Sequence, residues 1–341
     1  MKRENTACPV EQFKTMIGGQ ALIEGIMMRG PEKQAIVVRH TKEGLKEKVE
    51  PLKKKTGVLT WPMIRGIVNF GGSMISGVKS LMWSAENSGM EEDDQETNPA
   101  PSKLDQWLEK KLGSEKFMTA LITVSVVLGL GFSVLLFFLL PMELGNLIQR
   151  WTNCGVVAQH LLEGLFRIVI FLVYMIGISK LKDMRRVFSY HGAEHKTIRC
   201  YEARLPLTVE NVRGMTRKHP RCGTSFLFVV MALSIFLFTV ISAILNAAFP
   251  GLRELQQNSR ILYNLLMMAL KLLVMLPLVV SISYELNRLV GRYDNSLTRI
   301  LTAPGMWFQN FTTNEPDDSM IEVAIQALKL VLPEQEGADK W

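Results

Sequence analysis

Four long apolar runs dominate the pattern of hydrophobic and polar positions. Thr119 to Pro141 holds about twenty residues without a charge, and at about 1.5 Å per residue such a helix crosses a hydrocarbon core of about 30 Å. Leu161 to Ser179 is shorter and carries Glu163 and Arg167 near its start, groups that snorkel or pair at membrane depth. Thr224 to Pro250 is uncharged throughout. Tyr263 to Tyr284 is interrupted by Lys271, and Pro277 is a candidate kink. The pattern predicts four transmembrane helices.

The polar flanks have their own punctuation. In 16–57, Gly18-Gly19 and Gly30-Pro31 read as turns and Gln34 to His40 as a strand, while Ala21 to Met28 fits a strand or a short helix. From Val58 to Ala85, Trp61, Ile64, Ile67, Phe70, Ile75, Val78 and Leu81 are interrupted by Arg65, Lys79 and glycines. That segment reads as an amphipathic helix on the membrane or against the helical bundle, with a re-entrant or extra spanning segment as the alternative. Residues 86–103 form an acidic flexible linker, and Leu104 to Phe117 a short helix before the first span. Near the end, Asp317, Asp318 and Ser319 resemble a helix cap, Ile321, Ala324, Ile325 and Leu328 repeat at helical spacing, and Pro333 stops the helix.

Charge placement orients the spans. Eighteen Lys or Arg precede residue 119, and eleven lie in 179–224 against four acidic residues. Between spans one and two only Arg150 is basic, and between three and four only Arg253 and Arg260. The positive-inside rule then places both termini and the 179–224 loop in the cytoplasm. The predicted fold is a polytopic α-helical membrane protein with about four transmembrane helices, a cytoplasmic N-terminal α+β region and a cytoplasmic loop between helices 2 and 3. Its parts are 1–85, the N-terminal region; 86–103, the linker; 104–300, the four-helix domain with the loop 179–224; and 301–341, the cytoplasmic tail and helix. No cleavable signal peptide is expected, because the first residues are polar and the first long apolar run starts late. Cys8, Cys154, Cys200 and Cys222 imply no disulfide framework. The net charge of +7 is explained by topology, so no nucleic-acid partner is expected; membrane lipids are, with a membrane-protein partner or a second copy as further candidates.

The chemistry centres on His191-Gly192-Ala193-Glu194-His195. Histidines at i and i+4 share one helix face, so His191 and His195 can reach one ion, with Glu194 placed to take a proton from water. This needs residues 188–200 to be helical. The alternatives are a histidine pair bonded locally at a helix end, or interfacial histidines touching lipid headgroups. His219 and Cys222, on a turn before the third span, offer further ligands suited to zinc. Four protein ligands would make a closed, structural site, whereas three leave room for water and chemistry. Glu285, at the cytoplasmic end of the fourth span, is an additional candidate whose plain reading is a salt bridge to Arg288, Arg292 or loop arginines. Glu24, among glycines, is a weaker one. The glycine-rich segments match neither a phosphate loop nor a dinucleotide fingerprint, and Lys271 alone does not make a transport pathway.

Four stretches together resemble the DUF1385 family of bacterial membrane proteins over nearly the whole length. They are Gly18 to Gly30, Tyr190 to Lys196, His219 to Phe226, and Pro304 to Gln309 followed by Thr312 to Pro316. The resemblance implies a metal-dependent enzyme of the bacterial cell membrane with no defined substrate. Two functions follow as expectations: a metal-dependent hydrolase at the cytoplasmic membrane face, or a non-catalytic scaffold or membrane-protein assembly factor with a structural metal site or polar cluster. The opening motif and the tail lie far from the histidines in sequence, and are expected to lie away from the metal site as well.

Overall fold

The structure, a computed structural model, describes residues 13–53, 55–89, 114–152, 155–293, 295–335 and 337–340. Cys8, Cys154, most of the acidic linker and most of the helix expected before the first span lie outside them. The described residues divide into two compact units. One gathers the residues up to 91, 176–230 and those from 280 onward; the other comprises 92–175 and 231–279.

The first unit is built on an antiparallel sheet of β1 (Gly18–Leu22), β2 (Gly25–Arg29), β3 (Lys33–His40) and β4 (Gly44–Pro51), in that order. The stretch Ala21 to Met28, ambiguous by pattern, is two strands joined by the tight turn Ile23-Glu24. Glu24, the second residue of the turn, holds a left-handed backbone with φ of 49°, the position at which a type II reversal needs positive φ. Gly18-Gly19 is not a turn: both residues lie in β1, where Gly19 pairs with Met28. A Cβ on Gly19 would stand 2.7 Å from the Met27 carbonyl oxygen, so the glycine permits close strand approach rather than a reversal.

Period-two alternation distributes β2 and β3 between two cores. Ile26, Met28, Ala35 and Val37 face one way, against Tyr190, Ala193 and Ile198 of α5 (Lys182–Glu202) and against Val323, Ala324, Ala327, Leu328 and Val331 of α12 (Asp318–Val331). Leu22, Met27, Ile36 and Val38 face the other, where Trp83 of α1 (Ile64–Asn87) covers them. Burial on both faces explains the near-continuous apolar run of β3, while β4 is a charged, exposed edge. The Asp317 carboxylate caps α12 by accepting from Met320 N–H, as its sequence signals predict. The basic segment 179–224 is thus largely helical, with a short α6 (Val209–Arg213) after α5.

Four helical stretches are long and apolar enough to cross a membrane: Thr123–Thr152, Val157–Ile178, Leu227–Ala248 and Ile261–Arg292. The first consists of α2 (Ser114–Val134) and α3 (Leu140–Thr152) joined by a π turn, Leu135–Leu139. The next two belong to α4 (Val156–Ile178) and α7 (Gly223–Ala248). After α8 (Pro250–Asn258), the last is α9 (Arg260–Leu270), a π turn at Lys271–Met275, and α10 (Leu276–Arg292). Pro277 cannot donate to the Leu273 carbonyl, and the widened turn falls around that orphaned acceptor. The helix continues to Arg292 through residues whose polarity suggested an end at Tyr284, and α11 (Ser296–Thr312) follows. The segment from Val58 forms α1, which is not among the four candidate spans.

Inside the second unit, Glu163 is buried between two cations. Lys271 Nζ donates to its oxygens at 2.6 and 2.9 Å, and Arg167 Nη2 to Oε1 at 2.9 Å. Arg167 Nε also donates to the Phe137 carbonyl in the first π turn at 2.9 Å, and the Phe238 ring lies near both cations. Removing the shared anion therefore strands two charges, whereas removing Lys271 leaves Glu163 paired with Arg167. Glu163→Gln is expected to cost about 3–5 kcal/mol and Lys271→Met clearly less, read as unfolding free energies in detergent.

Candidate metal centre

The amphipathic pattern of α5 puts its apolar face on the sheet and turns His191 and His195 together on another side. Their ring centroids are 4.3 Å apart. Asp183 in the first turn and Arg199 in the last complement the helix dipole. Gly192 lets the chain after α11 come close, since a Cβ there would lie 2.0 Å from the Asn314 carbonyl oxygen. That approach brings Thr312 beside His191.

Two backbone carbonyls orient the rings. His191 Nδ1 lies 2.8 Å from Thr312 O and His195 Nδ1 lies 2.6 Å from Arg217 O. A carbonyl only accepts, so each Nδ1 carries a proton and each Nε2 is the nitrogen turned to other partners. His191 Nε2 stands 3.2 Å from Cys222 Sγ. His195 Nε2 is buried and has no hydrogen-bond partner among the described residues. Ligand atoms of His191, His195 and Cys222 all lie within 4.8 Å of one another, close enough for small side-chain adjustments to bring all three onto one ion. Thr224 supports the sulfur, with its N–H 3.4 Å and its hydroxyl 3.2 Å from Sγ.

Glu194 lies beside this trio. Its Oε1 accepts from Gly19 N–H at 2.9 Å, and its Oε2 is buried with no partner among the described residues. Burial pushes its carboxyl up from the usual range, against the pull of the two histidines. Burial also disfavours charge on both His191 and Cys222. Their mutual attraction wins: His191 rises to about 9, and the Cys222 thiol falls well below its ordinary value. The pair favours imidazolium and thiolate, so the sulfur is ready to ligate.

His219 belongs to a neighbouring network. Its ring centroid is 5.6 Å from that of His195, and its Nε2 is 3.5 Å from Glu202 Oε2. Arg221 also binds Glu202, which accepts from Thr15 N–H at 3.0 Å. Burial foremost, helped by the neighbouring cationic groups, lowers His219 to about 4 and keeps it neutral. Gln309 grips the His219 backbone from both sides: its Oε1 accepts from His219 N–H and its Nε2 donates to His219 O, each at 2.8 Å. Glu24 and Glu285 are not brought to the trio. Glu24 is bound by Arg186 and by the Tyr190 hydroxyl at 3.2 Å. Glu285 is bound by Arg65 of α1, with Arg65 Nε at 2.7 Å, rather than by the arginines suggested by sequence.

The opening motif and the tail do not lie away from the histidines, as sequence separation suggested. Gly19 holds Glu194, Thr312 holds His191, Gln309 holds His219, and Arg217 donates to Thr313 O. Gly19→Ala is expected to disturb Glu194 as well as the strand, because the added carbon would also lie 3.0 Å from Glu194 Cδ. Gly192→Ala should destabilise the unit by at least about 1–3 kcal/mol, since helix and backbone must separate. Thermal unfolding of both variants checks the pair.

Residues 61–334 match the sequence profile of the family described as "Protein of unknown function (DUF1385)". The curated "Uncharacterized protein YqhQ" of Bacillus subtilis (strain 168) is 31% identical over 319 residues, covering 92% of each chain. No solved structure matches.

Proposed function

We propose that this chain, which belongs to the DUF1385 family, is a zinc-dependent hydrolase of the bacterial cell membrane whose reaction centre is cytoplasmic. The observation that carries the reading is the partition at the site: three convergent ligand atoms, with an unpartnered buried carboxylate oxygen beside them. His191, His195 and Cys222 would hold the ion. Bound there, zinc supplies Lewis-acid polarisation of water and of an acyl carbonyl. Glu194 Oε2 receives the proton from the attacking water and returns it to the leaving group, a task suited to a carboxyl raised by burial. The Thr312 and Arg217 carbonyls hold the imidazoles in the tautomer that ligates, and Gly19 N–H fixes the other oxygen of Glu194. The substrate is an amide or ester reached from the inner membrane face.

Four crossings with both ends inside agree with the excess of Lys and Arg before residue 119 and in 179–224. Lipids are then the standing partners, alongside a membrane-protein partner or a second copy. Reporter fusions after residues 152, 179, 258 and 335 are expected to read outside, inside, outside and inside.

One observation favours a structural role for the same ion. Strand β1, helix α5, the turn before α7 and the end of α11 all tie together at the site, so a metal there would also lock the unit as part of a scaffold. The variants separate the two. Purified protein is expected to hold one zinc, lost in His191→Ala, His195→Ala and Cys222→Ala and retained in His219→Ala. Glu194→Gln should keep zinc and the unfolding temperature while losing turnover on an amide or ester panel; unaltered turnover, or loss of zinc in that variant, overturns the hydrolase reading. Zinc must displace the His191 proton, and that group titrates at about 9. Apparent affinity should therefore climb with pH toward 9 and weaken by up to about tenfold per unit below it, measured by chelator competition.

A further inference from the structure

Away from the histidines, cations converge on one groove of the first unit. Its walls come from Arg29 at the end of β2, Lys53 and Lys55 after β4, Arg65 of α1, and Arg288 and Arg292 in the last turns of α10, around a volume of about 880 Å³. The acid beside it is already engaged, because Glu285 accepts a fork from Arg65. Among the described residues, Arg29, Lys53 and Arg288 form no ion pair. Lys55 Nζ leans on neutral oxygens instead, with Asn69 Oδ1 at 2.6 Å, and burial together with the nearby Arg29 lowers its ammonium from the ordinary value. Like charges gathered around a concave surface create a field that an anion relieves.

Two features select the anion. α10 ends the candidate span Ile261–Arg292, so Arg288 and Arg292 stand where that helix would leave a bilayer, at headgroup depth. The same groove is lined by Met16 and Leu59, exposed at 45% and 47%. A basic groove with exposed apolar side chains in its own wall matches the two halves of an anionic phospholipid, phosphate and acyl chain. We propose that this groove binds the headgroup phosphate of an anionic phospholipid through Arg29, Lys53, Lys55, Arg288 and Arg292, with the acyl chains leaving past Met16 and Leu59. The inference rests on the membrane reading above but not on the metal chemistry.

Binding of phosphatidylglycerol and phosphatidylcholine to the full chain in detergent, followed by native mass spectrometry, tests it without requiring insertion. The wild type is expected to retain phosphatidylglycerol preferentially. Arg29→Gln/Lys55→Gln/Arg288→Gln should lose about tenfold or more of that affinity, and Lys46→Gln/Lys48→Gln/Lys329→Gln, which removes as much charge elsewhere, less than about twofold. Unchanged binding in the groove variant, an equal loss in the control, or displacement of the lipid by glycerol phosphate at comparable concentration overturns the proposal, the last by pointing to a soluble phosphate ester. Should the triple variant melt early, Arg288→Gln alone, on the exposed side of α10, reads a smaller loss of about fivefold in a folded protein. Reporter fusions that contradicted the four crossings would refute the membrane reading while leaving this binding measurable.

Discussion

Two hydrogen bonds from imidazole Nδ1 to backbone carbonyls govern the arrangement of the site. An imidazole has two chemically similar nitrogens, and only the bond made by one decides what the other offers. With Thr312 O and Arg217 O holding the Nδ1 protons, both Nε2 atoms are turned to the space shared with Cys222 Sγ. Without those acceptors, two histidines one helical turn apart would be two polar side chains free to bond locally.

The acceptors are supplied by distant chain segments, so the chemistry depends on the packing of the whole unit. α5 is held by the sheet through Tyr190, Ala193 and Ile198, and α12 closes the same core. Gly19 illustrates the economy of this design: its missing side chain admits Met27 O, while its N–H fixes Glu194. Electrostatics then acts on groups already fixed in place. His191 and Cys222 sustain each other's charge, whereas burial keeps His219 neutral even beside Glu202.

Much of the architecture is legible in the sequence because it follows from periodicity and length. The four apolar stretches, the strand at Gln34 to His40, the cap at Asp317 and the helix carrying His191 and His195 are local properties of the chain. The helical condition on the H-x-x-E-H spacing is met for the same reason. What escaped were relations between segments. Gly18-Gly19 reads as a turn until its strand partner is known. His219 and Cys222 look equivalent on one short turn, yet the backbone grip of Gln309 accompanies one toward Glu202 while the other meets His191. Backbone acceptors such as Thr312 O leave no mark on residue identity; the nearest signal was the family-like tail around Gln309 and Thr312 to Pro316.

The first unit draws on three stretches of chain separated by apolar helices, and α11 and α12 come from the last of them. On a ribosome working from the N-terminus, β1 to β4 emerge before the four apolar stretches, while the wall formed by α12 and the carbonyl of Thr312 follow all of them. Until then the inner sheet face and the histidine helix have no final lid, and the nascent polypeptide must keep that surface from sticking elsewhere. The order of translation thereby makes assembly of the centre wait on segments that follow every one of the apolar helices.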